Sequence, residues 1–299
     1  VPNSPAAPGL WHRLLGVLRC PLCGGPLTPP HGIPASFATL RQVKSLGCAE
    51  GHSFDAARQG YLSLLTGNTN AANADSADMV TARTLFLKAG HYAPLARALA
   101  GTVADLCPAD GTVMDAGAGT GYYLATVLDA LPEAVGLGLD VSKFALRKAA
   151  GAHPRAGAAT WDIWKPLPVV SGAADVVINV FAPRNGPEFR RVLRPDGALV
   201  VVTPTARHLA ELPASLGMLS VDAAKEDRLH RTLSGHFRQE RTEVVERQVA
   251  LTDQDVSNLI LMGPSAHHLS LEDVHRSVAS LDTPLPVTVS FLVSVYRPH

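Results

Sequence analysis

Long apolar runs are missing from this chain of 299 residues. No stretch approaches the roughly 18 residues that a membrane span requires. Trp11 to Leu18 is too short and too interrupted to serve, so no membrane partner is expected. Cysteine is scarce, and four of them make no disulfide framework in a chain this size. Lysine is scarce too, at six against twenty arginines, a bias that GC-rich coding DNA produces. Net charge is absent altogether, at a formal value of +0, so no global electrostatic case for nucleic-acid binding exists. The opening Val1 to Leu10 is rich in Pro and Ala but lacks the basic start and cleavage pattern of a secretory leader. It reads as part of a disordered lead-in over residues 1–15, and a cytoplasmic location is expected.

What remains is ordinary globular composition, 46% hydrophobic, and enough length for one large domain with a small appendage. Charge is distributed less evenly than its sum suggests. Residues 1–100 hold eight Lys/Arg against four acids, a mildly basic front end that suits a phosphate-bearing partner only weakly.

Three of the four cysteines fall into a pattern. Cys20-Pro-Leu-Cys23 is followed, after 24 intervening residues, by Cys48-Ala-Glu-Gly-His52. Two close ligand pairs, each on a tight turn, suit tetrahedral zinc, and four protein ligands fill its shell. Cys20, Cys23, Cys48 and His52 therefore predict a structural zinc site in a small domain over residues 16–66, stabilised largely by its metal. The intervening segment, with Pro26, Pro29, Pro30 and Pro34, reads as a looped-out insertion. His31 within it is a possible substitute ligand, and Cys107 a small buried apolar residue.

The most informative segment lies further on. The apolar run Gly111 to Met114 ends in Asp115-Ala-Gly117-Ala-Gly119-Thr-Gly121 and leads into the helix-like Tyr122 to Leu128. Glycines at that spacing tolerate positive φ and let a ligand touch the backbone. The helix start then offers unpaired N–H groups. The spacing is neither the dinucleotide fingerprint nor a P-loop. A second acid, Asp140, ends the next apolar run 19 residues beyond Gly121, where a doubly wound sheet places a carboxylate for ribose hydroxyls. A nucleoside without phosphate fits this combination, and S-adenosylmethionine is the expected cofactor.

The wider pattern is α/β. Gly67 to Ala74 reads as a linker, within a stretch of linker and helices over 67–106, and Ser76 caps a helix that stops at Gly90. Strands are expected near 112–115, 135–139, 157–161, 174–181 and 197–203, with helices beginning near Gly121, Ser142, Pro187 and Thr205. Thr242 to Leu251 and Pro286 to Val295 close the chain as an antiparallel pair. Thr252 with Asp255, and Ser270, cap helices between them. The result is a Rossmann-like, seven-stranded α/β domain over 107–299. Ligands bind such sheets beyond the strand carboxyl ends, which gathers Asp115 to Gly121, Asp140, Asp162 and Asn179 to Arg184 around one crevice.

Asp162 either meets an adenine edge or caps the loop start at Trp164. Asn179 to Pro183 ends the fourth strand, where adenosylmethionine-dependent base methylases carry a loop that holds the target base. The order differs here, with only the Asn, the aromatic and one proline kept. Phe181 is either a stacking surface or a core residue one step inside the sheet, and Asn179 is an odd choice for a purely apolar strand. His91-Tyr92 and Arg207-His208 carry no signal from spacing alone.

The ordered motifs carry a resemblance. After the Cys/His pattern come Gly51-His-Ser-Phe-Asp55, Arg58-Gln-Gly-Tyr-Leu-Ser-Leu-Leu65, Asp78-Met-Val-Thr-Ala-Arg83 and Lys88-Ala-Gly-His-Tyr-Ala-Pro-Leu95. The glycine turn, Phe181-Ala-Pro-Arg-Asn185 and Thr203-Pro-Thr-Ala-Arg-His-Leu209 follow. This series resembles the 23S ribosomal RNA (guanine-N1)-methyltransferases, especially the branch conferring resistance to tylosin- and mycinamicin-type macrolides. The resemblance covers nearly everything from Cys20 to Tyr296. It implies a zinc domain that recognises an rRNA hairpin, a methyltransferase domain, and a homodimer whose zinc domains frame an RNA cleft. It also implies adenosylmethionine contacts from Tyr92, Gly121, Tyr122, Tyr123 and His208. The insertion between Cys23 and Cys48 looks longer than the family's hairpin.

On this reading guanine N1 attacks the sulfonium methyl, with Asp162 as a candidate base and Asn179 as a candidate donor to O6. Two other readings compete: a small-molecule methyltransferase, and a non-catalytic zinc-dependent RNA-binding module.

Overall fold

The computed structural model describes residues 10–33, 40–66, 74–212, 216, 232–263, 266 and 269–299. Its centre is one eight-stranded sheet. The strands are β3 (Leu62–Ser63), β4 (Thr112–Ala116), β5 (Val135–Asp140), β6 (Ala156–Thr160), β7 (Ala174–Val180), β8 (Leu193–Pro204), β9 (Phe237–Leu251) and β10 (Leu285–Pro298). They lie in the order β3-β6-β5-β4-β7-β8-β10-β9. From β6 to β8 all neighbours are parallel, while β10 runs antiparallel to both β8 and β9. Seven of these strands are the set expected from the sequence. The eighth, β3, comes from the front module and pairs parallel with β6 at the edge, Leu62 beside Ala159.

The strand order reverses between β4 and β7, and the helices follow the strands as the local signals require. Helix α4 (Tyr122–Ala130) starts directly after the glycine turn. In α5 (Lys143–Ala149) the Ser142 side chain accepts from Ala145 N, and in α2 (Ala77–Lys88) Ser76 accepts from Met79 N. Helix α3 (Ala93–Ala104) carries proline in its first turn, which needs no N–H there. Thr252 and Asp255 form a capping box on the helix Asp253–Leu261, and Ser270 caps the helix Leu271–Val278. The helix expected near Thr205 does not form: residues 206–211 are turns, and beyond 212 the chain is described only at 216 before 232.

Two departures from expectation involve the front of the chain. Residues 10–15, read as part of a disordered lead-in, belong to helix α1 (Leu10–Val17). Trp11 and Leu14 are buried on the sheet, and a Cβ on Gly157 would stand only 2.3 Å from Leu14 Cδ1, so β6 keeps a glycine where α1 lands. Burying one such leucine contributes about 1.5–3 kcal/mol. The insertion between the ligand pairs is not simply looped out. Leu27, Leu40, Val43 and Leu46 are buried, and Thr28 bridges Gly47, so the described parts of the segment fold back. Residues 34–39, and Gly67 to Asn73 of the expected linker, lie outside the described residues.

The small antiparallel ribbon of β1 (Ser45–Gly47) and β2 (Ser53–Asp55) carries the second ligand pair. Leu46 and Phe54 from this ribbon share one apolar core with Leu14, Met114, Leu137, Leu139 and Trp161. The opposite face of the sheet packs on α3, α4 and the two C-terminal helices through Leu95, Leu99, Val127, Leu259 and Val274. The front module is thus built into the first face of the large domain. No helix among the described residues is long and apolar enough to cross a membrane.

Candidate functional site

The metal cluster forms from two turns. Gly24 N donates to Cys20 O and Gly51 N to Cys48 O, each glycine at positive φ (75° and 81°). A tetrahedron with Zn–S bonds of about 2.3 Å has S···S edges of roughly 3.8 Å. The sulfurs of Cys23 and Cys48 stand 3.6 Å apart, and His52 Nδ1 lies 3.3 Å from Cys48 Sγ and 3.6 Å from Cys20 Sγ. All four donor atoms fall within 4.8 Å of one another. The donor set and its spacing fit zinc, and His31 is not part of the cluster. Cys107 is buried apart from it, beside Gly111.

At the carboxyl ends of the central strands, backbone and side chains converge on the glycine turn. Gly117 N and Ala118 N both donate to Leu139 O, at 2.8 and 3.0 Å, which folds the turn over β5. Gly117 (φ 94°) could not carry a side chain, because a Cβ would stand 2.3 Å from Ala182 Cβ. Gly119 is different. Its φ of 53° suits glycine, and its Cβ position is open except for Arg83 Nη1 at 3.5 Å. Gly121 starts α4 in the left-handed region.

Asp140 accepts Gly119 N and Ser142 N, each at 2.8 Å, on separate carboxylate oxygens. Each oxygen keeps one lone pair. Asp115 is fully enclosed, and its Oδ1 has no partner. Burial, with Asp140 nearby, pushes its carboxyl up to about 8. An acceptor orphaned in this way suits a donor or cation from a bound molecule.

The walls are aromatic. Tyr92, at the start of α3, has its hydroxyl 3.1 Å from His208 Nε2. Ser290 N donates to His208 Nδ1 at 3.2 Å, so that nitrogen is unprotonated and Nε2 carries the hydrogen toward Tyr92. The tyrosine proton is then free for a ligand. Burial lowers the His208 pKa to about 4, which keeps the ring neutral. Phe291 on β10 packs against Tyr92, His208 and Phe181, with ring centroids 5.0, 4.6 and 5.5 Å apart. Tyr123 meets Phe181 edge-on at 6.4 Å, and Tyr122 packs against Tyr123 at 5.2 Å.

His208 yields a pH prediction. The unfolded chain takes up this proton near 6.5, the folded one only near 4, so the contribution to stability is lost as pH falls between those values. Thermal melts are expected to show a wild-type stability loss of up to about 3 kcal/mol across that window. A His208→Asn variant should lack this component. Parallel pH profiles for the two proteins would refute the assignment.

Phe181 is 44% exposed and holds a φ of 54°, a conformation costing a non-glycine residue about 1–2 kcal/mol. Asn179 helps hold the loop there. Its Nδ2 donates to Ala116 O at 2.9 Å and Pro183 O at 2.8 Å, which also fixes the amide orientation. Both of its hydrogens are spent on backbone, so the expected donation from Asn179 to a substrate oxygen has no free hydrogen to use. Asn179 Oδ1 is buried without a partner.

Asn179→Ala is expected to destabilise the protein by about 2–4 kcal/mol by stranding two carbonyls. Asn179→Asp should cost more, because a carboxylate would face both. Melting temperatures in the reverse order would refute this staple. Asp162 caps the loop start, its Oδ1 accepting Trp164 N at 3.0 Å.

Sequence reasoning missed the contribution of α2. Arg83 pairs with Asp75 and donates to Met262 O at 2.8 Å, while Ser142 Oγ donates to Asp75 O at 2.7 Å. This chain of contacts ties α2 to the Asp140 loop. The motif around Arg83 contributed to the resemblance, but nothing in its spacing indicated contact with the turn.

A doubly wound sheet with a glycine turn, an acid closing the next strand and an aromatic wall defines an S-adenosylmethionine-dependent methyltransferase domain, here fused to a zinc ribbon. Comparison with known proteins narrows the class. The zinc-ribbon family model described as RlmA, N-terminal, matches residues 18–69. A Micromonospora griseorubida protein named for 23S rRNA (guanine-N1)-methyl transfer is 50% identical, over 95% of this chain and 98% of its own. The 23S rRNA (guanine(748)-N(1))-methyltransferase of Streptomyces fradiae is 46% identical, over 94% and 96%. A Bacillus subtilis relative named for the same guanine-N1 reaction is 33% identical, over 66% and 67%. The chain belongs to the 23S rRNA (guanine-N1)-methyltransferase family.

Proposed function

We propose that this protein transfers a methyl group from S-adenosylmethionine to N1 of a guanine in a 23S rRNA hairpin. The observation that carries the proposal is the junction at the glycine turn: an orphaned Asp115 oxygen, an open Gly119 and an Asp140 with spare lone pairs, within a family that acts on this RNA. The donor, when bound, supplies a methyl on a positively charged sulfur, so alignment matters more than activation by the protein. Asp140 accepts from the ribose hydroxyls. Asp115 receives the ammonium end, and the free proton of Tyr92 meets its carboxylate, with His208 fixing the hydroxyl. Tyr122 and Tyr123 border the same pocket.

Phe181 provides the stacking face for a guanine drawn out of its loop, a contact worth about 1–3 kcal/mol. Asn179 acts by holding the Phe181–Pro183 loop. Guanine N1 must lose its proton, and Asp162 keeps Oδ2 for that task while Oδ1 caps the loop. The front module, residues 16–66, grips the RNA, with Cys20, Cys23, Cys48 and His52 holding structural zinc.

Assembly as a homodimer with two zinc modules about one RNA cleft, and protection against macrolides, belong to the same proposal and rest on the family likeness. The test is methyl transfer to 23S rRNA, mapped by reverse-transcriptase stops, because an N1 methyl blocks Watson–Crick pairing. A new stop at one guanine supports the reading. Transfer only to small metabolites, or no donor binding, overturns it.

A further inference from the structure

The cofactor turn and the zinc module lie at opposite ends of a band of exposed cations that the reaction itself does not use. Helix α5 starts three residues after Asp140 and presents Lys143, Arg147 and Lys148 to solvent. Lys143 Nζ and Arg147 Cζ flank the Phe144 ring, at 5.4 and 5.1 Å from its centroid, which holds both charges out at the surface. Four residues of helix separate the two, about 6 Å along the axis.

At its far end α5 meets the front module. A Cβ on Gly60 would stand 3.6 Å from Arg41 Nε and 3.8 Å from Ala150 Cβ, so Arg41 and the end of α5 flank the same glycine, with Arg41 Nη2 donating to Gln59 O at 3.2 Å. Arg58 is in the same tight turn, which Gly60 N closes on Ala57 O. Tyr61, Leu146, Ala149 and Ala158 make the apolar contact beneath.

Acids are sparse in the segments that build this band. None occurs between Asp140 and Asp162, and before Asp75 there are only Glu50 and Asp55. Among the described residues, the carboxylate ion pairs fall elsewhere: Arg191 with Glu188, Arg194 with Asp175, Arg297 with Glu240. Arg41, Arg58, Lys143, Arg147 and Lys148 enter no such pair. Five exposed cations thus follow one another from the end of β5, along α5, to the Arg41 and Arg58 corner of the front module, none of them in a carboxylate ion pair among the described residues. An extended polyanion is the partner such a line fits.

We infer that the band Arg41–Arg58–Lys148–Arg147–Lys143 is a phosphate track along which the rRNA strand runs from the zinc module to the cofactor crevice. The inference rests on the proposed rRNA substrate and adds a surface of the methyltransferase domain to RNA binding. Contacts of this kind carry little sequence information but position the strand, and their signature is counterion release.

The test compares the zinc-loaded wild type with a variant carrying Arg41→Gln, Arg58→Gln, Lys143→Gln, Arg147→Gln and Lys148→Gln. Affinity for a 23S rRNA hairpin fragment is measured as a function of salt. Five lost contacts at about 0.7 each predict a log K against log [salt] slope shallower by roughly 3.5. A change of two or more supports the track, and anything smaller overturns it. Calorimetry with S-adenosylhomocysteine reports on folding separately and should give the same affinity in both proteins.

A second variant keeps every charge, with Arg41→Lys, Arg58→Lys, Arg147→Lys, Lys143→Arg and Lys148→Arg. It should retain the wild-type slope, and loss of the slope there also overturns the track. If the wild type itself binds no rRNA, the proposed function fails first and the track with it. If the wild type binds and methylates rRNA but the glutamine variant keeps its slope, only the track fails.

Discussion

Asp140→Ala is expected to lower affinity for S-adenosylmethionine and for S-adenosylhomocysteine by at least a hundredfold. The carboxylate holds Gly119 N and Ser142 N, one on each oxygen, so its loss releases the turn from the start of α5. It also removes both acceptors proposed for the ribose hydroxyls. Charge-assisted bonds contribute about 1.5–3 kcal/mol each, and each 1.4 kcal/mol is tenfold in affinity. Two such bonds therefore account for the expected loss. Asp140→Asn offers one oxygen acceptor in place of two and should fall between, near tenfold. Isothermal calorimetry on zinc-loaded protein checks both. Affinity in the alanine variant within tenfold of the wild type would dismiss the ribose assignment.

The parts of this molecule written in short stretches of sequence were legible. Asp115 to Gly121 announced a strand, a turn and a helix because each glycine answers a local backbone demand. Ser76, Ser142, Thr252 and Ser270 marked helix starts because a cap acts within three residues. Partnerships across the chain were not legible. Helix α1 passed for lead-in because the residue that accommodates it, Gly157, is remote in sequence.

Asn179 stands out as a polar residue in an apolar strand, but that its hydrogens serve Ala116 and Pro183 is visible only in the folded loop. Arg83 had no signature, since its contacts with Asp75, Met262 and the Gly119 turn come from three separate parts of the chain. Tyr92 and His208 became candidates only through the family likeness. Their hydrogen bond spans 116 residues and leaves no trace in spacing.

Removal of zinc is expected to lower the melting temperature of the whole protein by more than about 10 °C, in one transition. A freely hinged zinc module would unfold by itself and leave the large domain untouched. Here Cys20, Leu46 and Phe54 are buried in the same core as Leu137, Leu139 and Trp161. β3 pairs with β6, and Leu64 N donates to Thr160 Oγ1 at 3.1 Å. A segment of roughly fifty residues cannot fold on its own core, so the metal contributes directly to its stability. When the ligands come apart, the apolar face over β5 and β6 loses its cover and the sheet edge its outer strand. A loss near 5 kcal/mol corresponds to about 10–20 °C for a domain of this size. Scanning calorimetry after chelation, or on Cys48→Ser, reads this directly. Donor binding should weaken along with RNA binding, because Asp140 terminates one of the strands left bare. Two separate transitions, with the upper one unmoved, would show instead that the ribbon is an independent unit and that its shared core contributes little.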